Sequence, residues 1–118
     1  MSIYKDVIAW RVGYDVAIAV CKLTRTFPKD EQYGLASQMR RSAVSIPSNI
    51  AEGFHRKSRA EYAYFCHIAY GSAAELQTQL SIANDLGYGE SVMMSQIESD
   101  ILRCLCLLSR LCQALKRQ

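Results

Sequence analysis

Long uninterrupted apolar runs are missing from this chain of 118 residues, although half of its composition is apolar. That excludes a membrane-spanning helix and leaves enough apolar material for one packed core, so a single domain over residues 1–118 is expected. The opening MSIYKDVIAW lacks the basic start, apolar centre and small-residue cleavage site of a signal peptide, and a cytoplasmic protein without membrane association is the expectation. The alternation of apolar and polar residues that marks a half-buried strand is also missing. Cysteines number five, an odd count, and Cys21, Cys66, Cys104, Cys106 and Cys112 each lie inside an apolar helical pattern; a disulfide framework is excluded and they read as reduced core residues. Proline occurs only at Pro28 and Pro47.

What is present is helical spacing, in four segments. The first runs from about Tyr4 to Thr26, with one row of Val7, Trp10, Tyr14, Ala17 and Cys21 beside a second of Val12, Val16, Ala19 and Leu23, and ends where Phe27-Pro28 makes continuation costly. The second begins near Asp30, read as its N-cap, and carries the stripe Met39, Ala43, Ile46, Ile50, Phe54 to Gly53 or Phe54. Pro47 sits inside that stripe. An interior proline removes an N–H, frees the carbonyl of Ala43 and costs about 3 kcal/mol, so this helix is expected to bend there, with Ser45, Ser48 and Asn49 at hand for the freed backbone groups.

The third segment opens on Ser58-Arg59-Ala60-Glu61, a capping box, and continues through Phe65, Ala69, Ala73, Leu76, Leu80 and Ala83 to Leu86-Gly87-Tyr88, where glycine can take the left-handed cap conformation. Around Gly71 it is thin enough for a neighbouring backbone to approach. The fourth, about Ser91 to Lys116, repeats apolar residues four and three apart, Ile97, Ile101, Cys104, Leu108, Leu111, Leu115, with Leu102, Leu105 and Cys112 on a flanking row. That is more apolar circumference than a small bundle covers, and it points to an oligomer. Short connections make successive helices antiparallel, so the fold class is all-α: an up-down-up-down four-helix bundle, bent at Pro47 in the second helix.

Charge is distributed unevenly. Residues 1–59 carry ten Lys or Arg and five Asp or Glu, whereas residues 60–118 carry four and six. Arg40 and Arg41 precede the proline motif, and Arg56, Lys57 and Arg59 follow it, with Glu52 between. Two readings stand side by side: a phosphate-attracting cluster, and solvated helix ends.

No catalytic constellation emerges. Ser45 and Ser48 lack a strand-turn-helix setting and an SxxK partner, and beside a proline they read as backbone-repairing hydroxyls. His55 and His67 have no partner at metal-ligand spacing, Cys104 and Cys106 point to nearly opposite sides of a helix, and the Glu-x-x-His of di-iron bundles is absent. No metal and no cofactor is expected. Glu75 reads either as an acid facing an arginine or as part of a solvated face, Trp10 as core, and Tyr62, Tyr64 and Tyr70 as possible stacking surfaces for bases.

Residues 33–88, YGLASQMRRSAVSIPSNIAEGFHRKSRAEYAYFCHIAYGSAAELQTQLSIANDLGY, resemble the bacterial four-helix-bundle family encoded in intervening sequences of 23S ribosomal RNA genes, and the similarity extends to KDVIAWRVGYDVA and LTRTFPKDEQYGL. Its motif residues include Arg40, Arg41, Pro47, Asn49, Glu52, Gly53, Ser58, Glu61, Gly71 and Glu75. The family is in turn similar to the accessory variability proteins of diversity-generating retroelements. The resemblance implies a homopentamer and, as possible partners, RNA or DNA and a reverse transcriptase or other protein; it implies no reaction. Three functions follow in order: a nucleic-acid-binding accessory module contacting phosphates through Arg40, Arg41, Arg56, Lys57 and Arg59; an oligomeric interaction scaffold in which Arg40 or Arg41 pairs with Glu52 or Glu75; and, third, an enzyme with a small-ligand pocket.

Overall fold

Four apolar stripes at helical spacing can leave water only by facing one another, and that is how the chain is arranged. The computed structural model describes residues 3–116. Among these it contains α1 (Ile8–Thr24), α2 (Leu35–Phe54), α3 (Arg59–Asp85) and α4 (Ser91–Lys116), with one-turn 3-10 helices at Tyr4–Asp6 and Lys29–Glu31. Each helix packs on its neighbours in sequence and α1 closes against α4, the ring order of an up-down-up-down four-helix bundle.

The core follows the stripes with one reassignment. Met39, Ala43, Ile46 and Ile50 of α2, Ala69, Ala73, Leu76 and Ala83 of α3, and Ile97, Ile101, Cys104 and Leu108 of α4 are all buried. In α1 the central row is Val12, Val16, Val20 and Leu23, while the parallel row through Trp10 and Ala17 runs along the edge and leaves Tyr14 exposed. Cys66, Cys104 and Cys112 are buried free thiols, but Cys21 is half-buried and Cys106 is exposed, so the expectation that all five lie in the core fails at Cys106. It is two residues from Cys104, and a helix turns that position away from the seam.

Local chemistry sets the ends of the helices. The Thr24 hydroxyl donates to the Val20 carbonyl at 2.8 Å and the Thr26 hydroxyl to the Leu23 carbonyl at 2.7 Å, adding side-chain bonds to the backbone bonds of the last turn of α1. Asp30 is not the N-cap of α2. It lies in the 3-10 turn, and the longer Glu31 side chain accepts the Leu35 N–H at 3.3 Å and the Tyr88 hydroxyl at 2.9 Å. Ser58 does cap α3, accepting the Glu61 N–H at 3.1 Å, although the Glu61 carboxylate receives the Ser58 hydroxyl at 3.3 Å in place of its backbone N–H. Gly87, at φ 78°, closes α3 in a Schellman motif: Tyr88 N–H donates to the Ala83 carbonyl and Gly87 N–H to that of Asn84.

α2 continues through Pro47. The Asn49 amide donates to the carbonyl and the hydroxyl of Ser45, both at 2.8 Å, so side-chain support falls on Ser45 and not on Ala43, whose partner the proline removes. Close helix approach occurs at two glycines. A Cβ on Gly13 would lie 2.7 Å from the Ile46 side chain, and one on Gly53 would lie 2.8 Å from the Phe65 Cβ. Gly71, expected to permit such an approach, faces open space.

Candidate functional site

The five basic candidates do not form one cluster. Arg41 and Arg56 are both on or next to α2 and fifteen positions apart, which at 1.5 Å per residue is about 22 Å along the axis. The two ends hold their charges differently.

Arg40 turns inward. Its guanidinium donates to the Thr24 hydroxyl at 3.2 Å and to the Gln32 carbonyl at 3.0 Å, tying α2 to the end of α1 and to the connecting turn. Gln32 reinforces the same junction through its amide, which donates to the carbonyls of Thr24 and Phe27. Arg40 is thus a clamp for backbone and hydroxyl acceptors. Arg41, one residue on and about 100° around the helix, points away from that clamp and lines a cleft between α2 and α3. Neither pairs with Glu52 or Glu75 within the described residues; the ion pair at Glu52 belongs to Arg56.

The turn between α2 and α3 holds the other three. Arg56 sits 2.8 Å from Glu52, one turn earlier, and 3.7 Å from Glu61, with its guanidinium 4.7 Å from the Phe65 ring centre. Such half-exposed pairs contribute about 0–1 kcal/mol, but here they fix the direction of the side chain. Arg59 donates to the Ala114 carbonyl at 2.6 Å, a contact suited to the last turn of α4, where carbonyls lack helical partners and the dipole is negative. That contact holds the end of α4 against the start of α3, where Lys116 lines a pocket with His67 and Tyr70, while Lys57 is exposed on the preceding turn. Lys116 is the cation that sequence reasoning missed, because only the bundle places residue 116 beside residue 59. Tyr64, 62% exposed, stands on the first turns of α3 with its ring against Phe65. Tyr62 is half-buried, and burial followed by the nearby Cys66 pushes its hydroxyl up to about 12.

The α2–α3 cleft is polar. The Ser42 hydroxyl donates to a Glu75 carboxylate oxygen at 3.2 Å, and Ser45 and Ser72 hydroxyls meet at 2.8 Å. Of the two readings of Glu75, the solvated face is the one that fits: it is exposed, accepts from a buried serine, and faces no arginine at ion-pair distance among the described residues. On the far side of α2, Trp10, Tyr14, Ile18, Val44, Pro47 and Ala51 line an apolar groove, with Ile18 43% and Val44 47% exposed.

The family model described as 23S rRNA-intervening sequence protein matches residues 5–110. The chain belongs to this family. A crystal structure of a protein of unknown function from the S23 ribosomal protein family of Bacteroides thetaiotaomicron has the same fold, with a TM-score of 0.83 at 23% identity over 92% of this chain and 98% of that one. No curated protein matches the chain.

Among the described residues no three His, Cys, Asp or Glu side chains gather as a metal site, and no helix is long and apolar enough to cross a membrane. Burial pushes Cys104 up to about 12, and burial together with neighbouring Cys112 pushes Cys66 to the same value, from an ordinary 9.0. Thiols so raised are poor nucleophiles at neutral pH. They also make stability depend on alkali. As pH rises, the unfolded chain loses these protons first, so the contribution of the neutral thiols is whole below about pH 9 and is lost as pH climbs through 12. The urea midpoint should fall over that window, and a Cys66→Ala, Cys104→Ala variant should fall less steeply; an unaltered slope would move the effect to other groups such as Tyr62.

Proposed function

We propose that this chain is a non-enzymatic, self-assembling helical-bundle module, acting in the cytoplasm, that holds the phosphate backbone of nucleic acid on one basic end. The observation that carries the reading is the gathering of Arg56, Lys57 and Arg59 on the α2–α3 turn, onto which Arg59 docks the last turn of α4 with its Lys116, opposed there by Glu52 and Glu61. Exposed Tyr64 supplies a ring beside them on which an unpaired base can stack. Arg40 is left out, being engaged inside the fold, and Arg41 belongs to a different surface.

Self-assembly is supported by the apolar groove along α1 and α2, whose half-exposed Ile18 and Val44 gain by leaving water. The homopentamer, and a reverse transcriptase or other protein as partner, enter through the sequence resemblance. One observation favours a second reading, an interaction scaffold without nucleic acid: Arg56 already has two carboxylates within 4 Å.

Light scattering of the purified protein, alone and with single-stranded RNA, structured RNA and duplex DNA at two salt concentrations, separates these readings. The basic-end reading expects one defined oligomer whose affinity for nucleic acid drops steeply at the higher salt, as released counterions require. An oligomer indifferent to all three ligands would establish the scaffold, and a monomer would overturn both.

A further inference from the structure

The cleft between α2 and α3 has a volume of about 360 Å³, within the range of small-molecule sites. Its polar groups are incompletely used. Asn49 commits its amide to Ser45, and Ser45 contacts Ser72; whichever hydroxyl donates, the other's hydrogen is left without an acceptor among the described residues. One Glu75 oxygen accepts from Ser42, and the other is unengaged. Gln79 lines the same cleft at only 7% exposure, and its Oε1 has no hydrogen-bond partner, an arrangement that costs about 1–3 kcal/mol when nothing compensates it. Arg41 makes no hydrogen bond or ion pair among the described residues.

These leftovers are matched in kind. An acceptor stands at Glu75, donors at Arg41 and the Ser45–Ser72 hydroxyl pair, and the two opposite charges line one cleft without touching. A simple cation would satisfy Glu75 and leave Arg41 without a counter-ion. A simple anion would satisfy Arg41 and bring like charge against Glu75. An ammonium offers three donors and a carboxylate two oxygens that fit the guanidinium fork.

We propose that the α2–α3 cleft binds a free α-amino acid, its ammonium on Glu75 and its carboxylate on Arg41 and the Ser45–Ser72 hydroxyl pair. The cleft is open on its outer side, so the ligand's side chain points outward and selects weakly. This site is independent of the basic end: Glu75 and Arg41 are on the surface between helices, away from the α2–α3 turn.

The test is titration of the full-length protein with each of the common L-amino acids at millimolar concentration, followed by the side-chain amide resonances of Gln38 and Gln79. For an amino acid that binds, the N-acetylated and the carboxyl-amidated forms should each bind at least about tenfold more weakly, because each removes one charge-assisted contact. Glu75→Gln and Arg41→Met should each weaken binding by a similar factor. Both side chains are exposed and together make one hydrogen bond, so unfolding temperatures of the free variants should stay near that of the parent. The proposal is overturned if no amino acid moves those amides, if capping either end leaves affinity unchanged, or if the two variants bind as the parent does.

Discussion

Gly53→Ala is expected to destabilise the bundle while Gly71→Ala stabilises it, although both glycines lie within helices. Alanine exceeds glycine in helix propensity by about 1 kcal/mol, and at Gly71, where the new methyl meets nothing within 4 Å, that gain should appear almost undiminished. At Gly53 the methyl would lie 2.8 Å from the Phe65 Cβ and 3.1 Å from the Tyr62 carbonyl oxygen. Neither is the far end of a flexible side chain, so α2 and α3 must separate where Arg56 stacks on Phe65 and Ser58 starts α3. Overpacking of this kind costs about 1–3 kcal/mol, and Gly53→Val should cost more than Gly53→Ala. For a domain of this size about 1 kcal/mol corresponds to several degrees in unfolding temperature, so the two alanine variants should move in opposite directions by amounts a melting curve resolves. Equal shifts would show that the α2–α3 contact yields at Gly53 without loss.

The contrast between those glycines shows what the sequence could and could not tell. The stripe Met39, Ala43, Ile46, Ile50 was legible because burial on one side of a helix imposes a period near 3.6, and every one of these residues is buried. Ser58 and Gly87 were legible because capping is local, completed within a few residues. Gly53 and Gly71 are alike in composition and differ only in what another helix places opposite them. The start of α2 was misread at Asp30 for a related reason: Glu31 is fixed partly by the Tyr88 hydroxyl, which is 57 positions away in sequence.

The same distinction governs the site. Arg40 and Arg41 are adjacent and chemically identical, but the helix turns one onto Thr24 and Gln32 and the other into the polar cleft. Counting charges along the chain merges them. The cleft itself joins Ser42 to Glu75 across 33 positions, a pairing with no counterpart in any motif. Sequence hydrophobicity instead favoured the seam of α4, which forms as expected through Ile97, Ile101, Cys104 and Leu108 while Leu102 remains exposed.

Because the basic residues differ in what they hold, binding and folding should separate by mutation. Lys57→Glu with Lys116→Glu removes no hydrogen bond or ion pair among the described residues and changes the charge of the basic end by four, so the fold should survive and nucleic-acid affinity should not. If each lysine neutralises one phosphate, the plot of log affinity against log salt should become shallower by about two, and with the added repulsion affinity near physiological salt should drop by about a hundredfold or more. Arg40→Ala should do the reverse. It leaves the Gln32 carbonyl without its charged donor and takes one of the Thr24 hydroxyl's contacts, and a hydrogen bond from a charged donor is worth about 1.5–3 kcal/mol, so the melting temperature should fall while the salt slope holds. Measured together by fluorescence anisotropy and thermal unfolding, the two variants give opposite patterns if phosphate binding lies at the α2–α3 turn. A flattened slope in Arg40→Ala, or an unchanged one in the lysine pair, would relocate the nucleic-acid surface or remove it.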